Sequence, residues 1–148
     1  MATTMTGRIV EGNRRRVYVD MVGDLFHAGH VELLKAARAL GDVLLVGVLS
    51  DEVVASYKRR PIMAMAERVA VIEACRYVDE VLPDSPYQVT PEFLDEMDIS
   101  LVVHGDDISP EVVREVFGGV ADAGRLRLVR YTPGISTTDL ILRCKKAG

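Results

Sequence analysis

Apolar residues along this chain follow two rhythms that take turns. Val17, Tyr18 and Val19 make a short β-rich run, and residues 43–49 read VLLVGVL. An apolar stretch that long without alternation fits a strand covered on both faces. Between the two, Val31, Leu34, Ala37 and Leu40 recur at helical spacing, and Gly41 closes the segment. The alternation continues to the end of the chain. Residues 50–61 read as a polar, basic loop, and Met65, Val69 and Ile72 mark a second helix. Residues 77–82 give a third strand, Pro91 starts a short helix at its favoured early position, and residues 101–103 give a fourth strand. A helix over 110–117, a fifth strand over 126–131 and a last helix opening at Ser136 complete the pattern.

Strands separated by helices imply right-handed crossovers and a parallel sheet. The predicted fold is α/β: a Rossmann-like, doubly wound, five-stranded parallel sheet with helices on both faces. No internal repeat or linker interrupts it. Residues 17–148 are therefore expected to form a single domain after a flexible lead-in over residues 1–16. In such a sheet ligands bind beyond the carboxyl ends of the strands, where strand order reverses. Chemistry is expected after strands one, two, four and five.

Composition narrows the function more than the fold. At 148 residues and 49% hydrophobic, the chain is long and apolar enough to bury one core. A net charge of −4 argues against general nucleic-acid binding, which needs a basic face. The cysteines, Cys75 and Cys144, are only two and far apart, so neither a disulfide framework nor a zinc site is expected. No apolar run approaches membrane-spanning length, and residues 1–16 lack the apolar centre of a signal peptide. A cytoplasmic protein is expected.

The strongest chemical signal follows strand one. Asp24-Leu25-Phe26-His27-Ala28-Gly29-His30 runs directly into a helix. A lone histidine is more often a surface or core group. Two of them flanking Gly29 at a helix start suit an anion, because the glycine lets the backbone approach a phosphate and the dipole favours negative charge. Further polar groups fall in order along the chain: Ser50-Asp51, then Lys58-Arg59-Arg60, then Arg76-Tyr77-Val78-Asp79-Glu80-Val81. They are followed by His104-Gly105-Asp106-Asp107 and finally Gly134-Ile135-Ser136-Thr137-Thr138. The last group, with Asp139, has the form of a capping box. No G-x-G-x-x-G follows strand one, which excludes a plain dinucleotide-binding dehydrogenase.

Taken together, these motifs resemble the cytidylyltransferase family, the H-x-G-H nucleotidylyltransferases that include the choline-, ethanolamine- and glycerol-phosphate enzymes. The likeness runs from Val17 to Arg143. It implies transfer of CMP from CTP to a small phosphate- or phosphonate-bearing alcohol, with Mg²⁺ on the triphosphate and no direct metal ligand from the protein. It implies His27, His30 and Lys58 as catalytic residues. Val22, Gly23, Gly29, Arg76, Asp79, Gly105, Asp106, Gly134, Ile135, Ser136, Thr137 and Thr138 would contact the nucleotide. Asp24, Arg59, Arg60, Asp107 and Tyr131 would lie near the acceptor, with Asp106 ranked ahead of Asp107 and His104 given a structural role. A homodimer through the Arg76–Val81 segment is also implied.

Two positions depart from the family pattern: Met21 stands where relatives carry Gly, and Tyr131 where they carry Arg. Arg130 precedes Tyr131, but neighbours on a strand point to opposite faces, so a simple exchange is not expected. The form V-D-M-x-x-D-L-x-H-x-G-H also resembles cytidylyltransferase domains attached to phosphoenolpyruvate mutases in phosphonate pathways of the fosfomycin type. That likeness implies 2-hydroxyethylphosphonate as acceptor and a chain that is one domain of a larger protein. An ATP-dependent adenylyltransferase and a non-catalytic nucleotide-binding module are the competing readings.

Overall fold

The protein is described by a computed structural model covering residues 14–148, so residues 1–13 of the lead-in expected over residues 1–16 lie outside the described residues. Its elements are β1 (Arg16–Met21), α1 (Ala28–Arg38), β2 (Val43–Val48), α2 (Asp51–Ala55), α3 (Met65–Glu73) and β3 (Glu80–Pro83). They continue as α4 (Pro91–Glu96), β4 (Leu101–Gly105), α5 (Pro110–Asp122), β5 (Leu126–Val129) and α6 (Thr137–Ala147). All strand pairs are parallel, in the order β3-β2-β1-β4-β5. The predicted doubly wound sheet is present. Its order reverses at β1, which pairs with β2 on one side and with β4 on the other.

The unalternating strands are apolar because both faces are covered. Val17, Val19 and Met21 pack on one side with Leu34, Leu44, Val46, Val48 and Ile72. Tyr18 packs on the other with Leu45, Leu94, Val102, Phe117 and Val120. Leu34 has no exposed surface, and its truncation to Ala would cost about 2–5 kcal/mol.

Several predicted boundaries move, each for a local reason. The loop over residues 50–61 begins with α2, because the Ser50 hydroxyl caps it by accepting from Val53 N. β3 starts at Glu80 rather than at residue 77, since Val78 N donates to Cys75 O and the carboxylate of Asp79 accepts from Leu44 N. α5 passes through a kink at Phe117 (φ −124°) and the following Gly118–Gly119 pair, which reads as a stop, before ending at Asp122. β5 ends at Val129, two residues early. The last two residues of the expected lead-in make contacts with the domain. Arg15 N donates to Asp42, and Arg16 opens β1 while pairing with Glu80 at 2.9 Å.

Candidate active site

At the carboxyl ends of β1 and β4, where the order reverses, the chain forms a cleft of about 520 Å³. The loop after β1 brings His27 and His30 to it. The two imidazoles cap α1 reciprocally: Gly29 N donates to His27 Nδ1 and His27 N donates to His30 Nδ1, both at 3.0 Å. A backbone N–H can only donate, so both Nδ1 atoms carry lone pairs and each neutral ring keeps its proton on Nε2. Gly29 lines the cleft and also serves the cap: its N–H donates to His27 Nδ1, and a Cβ added there would lie 2.8 Å from His27 Cε1.

Burial keeps these rings neutral. His30 stacks on Phe26 (centroids 5.1 Å apart) and is pushed down to about 4, by burial first and then by the charge of His27. His27 is also lowered by burial. Lys58 Nζ lies 5.9 Å from the Tyr57 ring centroid, and burial with the neighbouring Arg59 lowers its pKa. Lys58 and His30 are close enough for the ammonium to depress the imidazole further.

Asp24, expected near the acceptor, is 4% exposed, and its carboxylate oxygens accept from Ile62 N (2.8 Å) and Met63 N (2.9 Å). It therefore anchors the far end of the loop that carries Lys58. Arg59 lines the cleft and reaches Asp24 at 3.6 Å. Arg60 turns away to Asp51 and Glu52 and does not line the cleft.

The other wall comes from β4, β5 and α6. His104 Nδ1 donates to Gly105 O at 2.8 Å, because that carbonyl can only accept. His104 faces the cleft beside Asp20, where a structural role was expected. The ranking of the two aspartates reverses: Asp107 lines the cleft, whereas Asp106 accepts from Tyr131 N and ties the two loops together. Because β5 stops at Val129, strand alternation does not apply beyond it, and Arg130 and Tyr131 both line the cleft.

At the start of α6, the Ser136 hydroxyl accepts from Asp139 N and the Thr137 hydroxyl donates to Asp24 O. Among the described residues, Thr137 N and Thr138 N have no recorded acceptor and remain open towards an anion. Gly134, with φ +90°, shapes the approach to this helix without lining the cleft.

Val22, Gly23, Gly105, Ile135, Ser136, Thr137 and Thr138 therefore converge with the histidines and Lys58. Arg76 and Asp79 do not. Asp79 accepts from Leu44 N and pairs with Arg38 at 3.0 Å near the amino end of β2, and Arg76 lies in a shallow concavity with Phe26 and Tyr77. Their segment enters β3 at its amino end, across the sheet from the cleft. Asp20 and Arg68 were not singled out from the sequence, and Arg130, set aside there on strand alternation, lines the cleft. Asp20 alone left a signal: it shares a face of β1 with the buried Tyr18, and an acid is costly there without a purpose.

Known proteins with these features are plentiful. A family model described as cytidylyltransferase-like matches residues 23–143. The chain is 43% identical over 129 residues to an ethanolamine-phosphate cytidylyltransferase of Dictyostelium discoideum, covering 86% of this chain and 36% of that protein. It is 41% identical over 145 residues to the ethanolamine-phosphate cytidylyltransferase of Mus musculus, and 43% identical over 132 residues to choline-phosphate cytidylyltransferase A of the same organism. These alignments cover 96% and 86% of this chain, and 36% of each relative. The chain thus spans about a third of the length of these relatives. A solved structure of a lipopolysaccharide core biosynthesis protein from Thermoplasma volcanium GSS1 superposes with TM-score 0.66 at 25% identity, covering 81% of this chain and 100% of that one. Sequence likeness across most of the described domain and the reciprocal histidine cap on a doubly wound sheet lead to one assignment: the chain belongs to the cytidylyltransferase-like family.

Proposed function

We propose that the chain transfers a cytidylyl group from CTP to a phosphate oxygen of a small alcohol phosphate, releasing pyrophosphate. One observation carries this reading: His27, His30, Lys58 and the open start of α6 line a single cleft at the sheet's switch point. The acceptor oxygen is ionised at neutral pH and needs no strong general base. It forms a bond to the α-phosphorus as the bond from that phosphorus to the β-phosphate bridge oxygen breaks, and pyrophosphate leaves with the electron pair. Catalysis is then positioning and charge stabilisation. The neutral Nε2–H groups of His27 and His30 donate to the α-phosphoryl oxygens, Lys58 bridges the two anions, and the start of α6 with Arg130 holds the leaving pyrophosphate.

Among the described residues no cluster of three His, Cys, Asp or Glu side chains is placed to hold a metal. A Mg²⁺ ion brought in with CTP would neutralise charge on the triphosphate.

The finer reading concerns the acceptor. Asp20 lines the cleft, burial raises its pKa, and its charge reaches Tyr57 and Tyr87, whose rings lie 5.4 Å apart. A carboxylate and the Tyr57 ring lining one cleft support an ammonium head, as in ethanolamine phosphate or choline phosphate. The test is incubation with CTP or ATP, Mg²⁺ and each of ethanolamine phosphate, choline phosphate, glycerol 3-phosphate and 2-hydroxyethylphosphonate, with mass detection of the conjugate. A CMP conjugate of an amino-alcohol phosphate is expected. A product only with 2-hydroxyethylphosphonate would transfer the assignment to a phosphonate acceptor, and a product only with ATP would make it an adenylyltransferase. Tight CTP binding without any conjugate would leave a nucleotide-binding module.

We also propose a homodimer through the shallow concavity of Phe26, Val31, Val71, Ala74, Cys75 and Tyr77, which sedimentation velocity would test. No helix among the described residues is long and apolar enough to cross a membrane.

A further inference from the structure

Arg68 is the largest fully buried side chain among the described residues, at 0% exposure. A buried guanidinium is tolerated only when its donors are used, because desolvating the charge is costly. Arg68 uses them on four different segments. Its Nε donates to Met63 O at 3.1 Å, its Nη1 to Val22 O at 2.7 Å and Leu49 O at 2.8 Å, and its Nη2 to the Asp51 carboxylate.

The acceptors are not scattered. Val22 is where the chain leaves β1 on its way to His27, and Leu49 is where it leaves β2. Asp51 opens α2, and Met63 is where the chain returns from the loop that carries Lys58. One rigid planar fork therefore fixes both ends of the Lys58 loop relative to the histidine turn. A lysine ammonium, a point charge on a flexible stem, lacks the fixed fork that reaches those four segments at once.

We propose that Arg68 is a positioning residue that sets the distance between Lys58 and the His27–His30 pair. The proposal rests on the cytidylyl-transfer reading, but its loop geometry is readable without turnover. The experiment compares the parent protein with Arg68→Lys and Asp51→Asn, each verified as folded by thermal unfolding at a temperature well above that of the assay. Two quantities are measured: the rate at which trypsin cuts after Lys58 and Arg59, identified by fragment mass, and kcat and KM for CTP with the acceptor found above.

In Arg68→Lys, trypsin is expected to cut the loop several-fold faster. A misplacement of about 1 Å suffices to lower kcat by about 10²-fold, with KM for CTP changed far less. A folded Arg68→Lys protein with parental kcat overturns the proposal. If that variant does not fold, Asp51→Asn decides by the same readouts, and parental values there overturn it. If the parent makes no CMP conjugate, the proposed reaction fails by itself and loop cleavage alone judges Arg68: faster cutting supports the role, and parental cutting refutes it.

Discussion

The Thr137 hydroxyl donates to the backbone carbonyl of Asp24 at 2.9 Å, across 113 residues of sequence. This bond joins the start of α6 to the histidine turn, while the Asp24 carboxylate holds Ile62 and Met63 on the lysine-bearing loop. Three segments of the cleft thus meet at one residue. Thr137→Val keeps the side-chain shape but removes the donor, which should cost about 1–3 kcal/mol through the unsatisfied carbonyl. KM for CTP should rise because the open N–H groups of α6 lose their register. Thr137→Ser should retain both properties. Urea unfolding and steady-state kinetics check this, and a valine variant with parental KM would argue that the contact is incidental.

The low histidine pKa values set a definite pH dependence. His30 titrates near 4 when folded, against about 6.5 when unfolded, so between these values the unfolded chain binds more protons. Stability therefore increases with pH across that window and is lost as pH falls from about 6.5 towards 4, at no more than about 1.4 kcal/mol per pH unit for this group. His27, lowered by burial, acts in the same direction. Protonation also converts each Nδ1 from acceptor to donor and breaks the reciprocal cap. Thermal midpoints measured from pH 4 to 8 should climb and level off near neutrality. Turnover should show no histidine inflection between pH 6.5 and 8, and a turnover that falls as pH rises through about 6.5 would mean that a histidine acts as the cation.

His27→Ala and Lys58→Ala remove groups that would touch the transferred phosphoryl oxygens. Loss of one well-placed donor costs about 2.7–4 kcal/mol, or roughly 10²–10³ in kcat. His27→Ala should also destabilise the fold by about 1 kcal/mol, because its ring caps Gly29 N. Lys58→Ala should leave stability unchanged within about 0.5 kcal/mol, since Lys58 makes no recorded ion pair among the described residues. Unfolding curves and single-turnover rates separate the two effects. A folded variant of either kind with normal turnover removes that residue from the chemistry.

Much of this cleft can be read from the chain because its carriers sit at element junctions. His27, Gly29 and His30 announce themselves by spacing at a strand-to-helix turn, and Ser136 and Thr137 by their place at a helix start. What stays illegible depends on through-space partners. Arg68 reads as one more solvated arginine on a helix until its four acceptors are seen. Asp24 reads as a ligand contact and does line the cleft, but spacing gives no sign that its oxygens also accept from amides 38 and 39 residues away. Asp79 sits in a motif that tracks the family, yet its hydrogen bond to Leu44 N places it at the opposite end of the sheet. Spacing along the chain carries capping and periodicity, whereas long-range hydrogen-bond partners leave no periodic trace.

The exchange at positions 130 and 131 gives the last test. Relatives were expected to carry an arginine where this chain has Tyr131, and alternation along β5 argued against Arg130 taking its place. That objection falls away because β5 ends at Val129 and Arg130 lines the cleft. Arg130 makes no recorded ion pair or hydrogen bond among the described residues, so its guanidinium is available to an anion. Hydrogen bonds to charged groups contribute about 1.5–3 kcal/mol, so Arg130→Ala should raise KM for CTP roughly 10- to 100-fold. Tyr131→Arg in the parent should gain little, because the anion already has its partner. In the Arg130→Ala background the same change should restore part of the lost affinity, since both side chains face one cleft. Kinetics on the three variants decide the matter. Parental KM in Arg130→Ala would show that the pyrophosphate end is held by α6 alone.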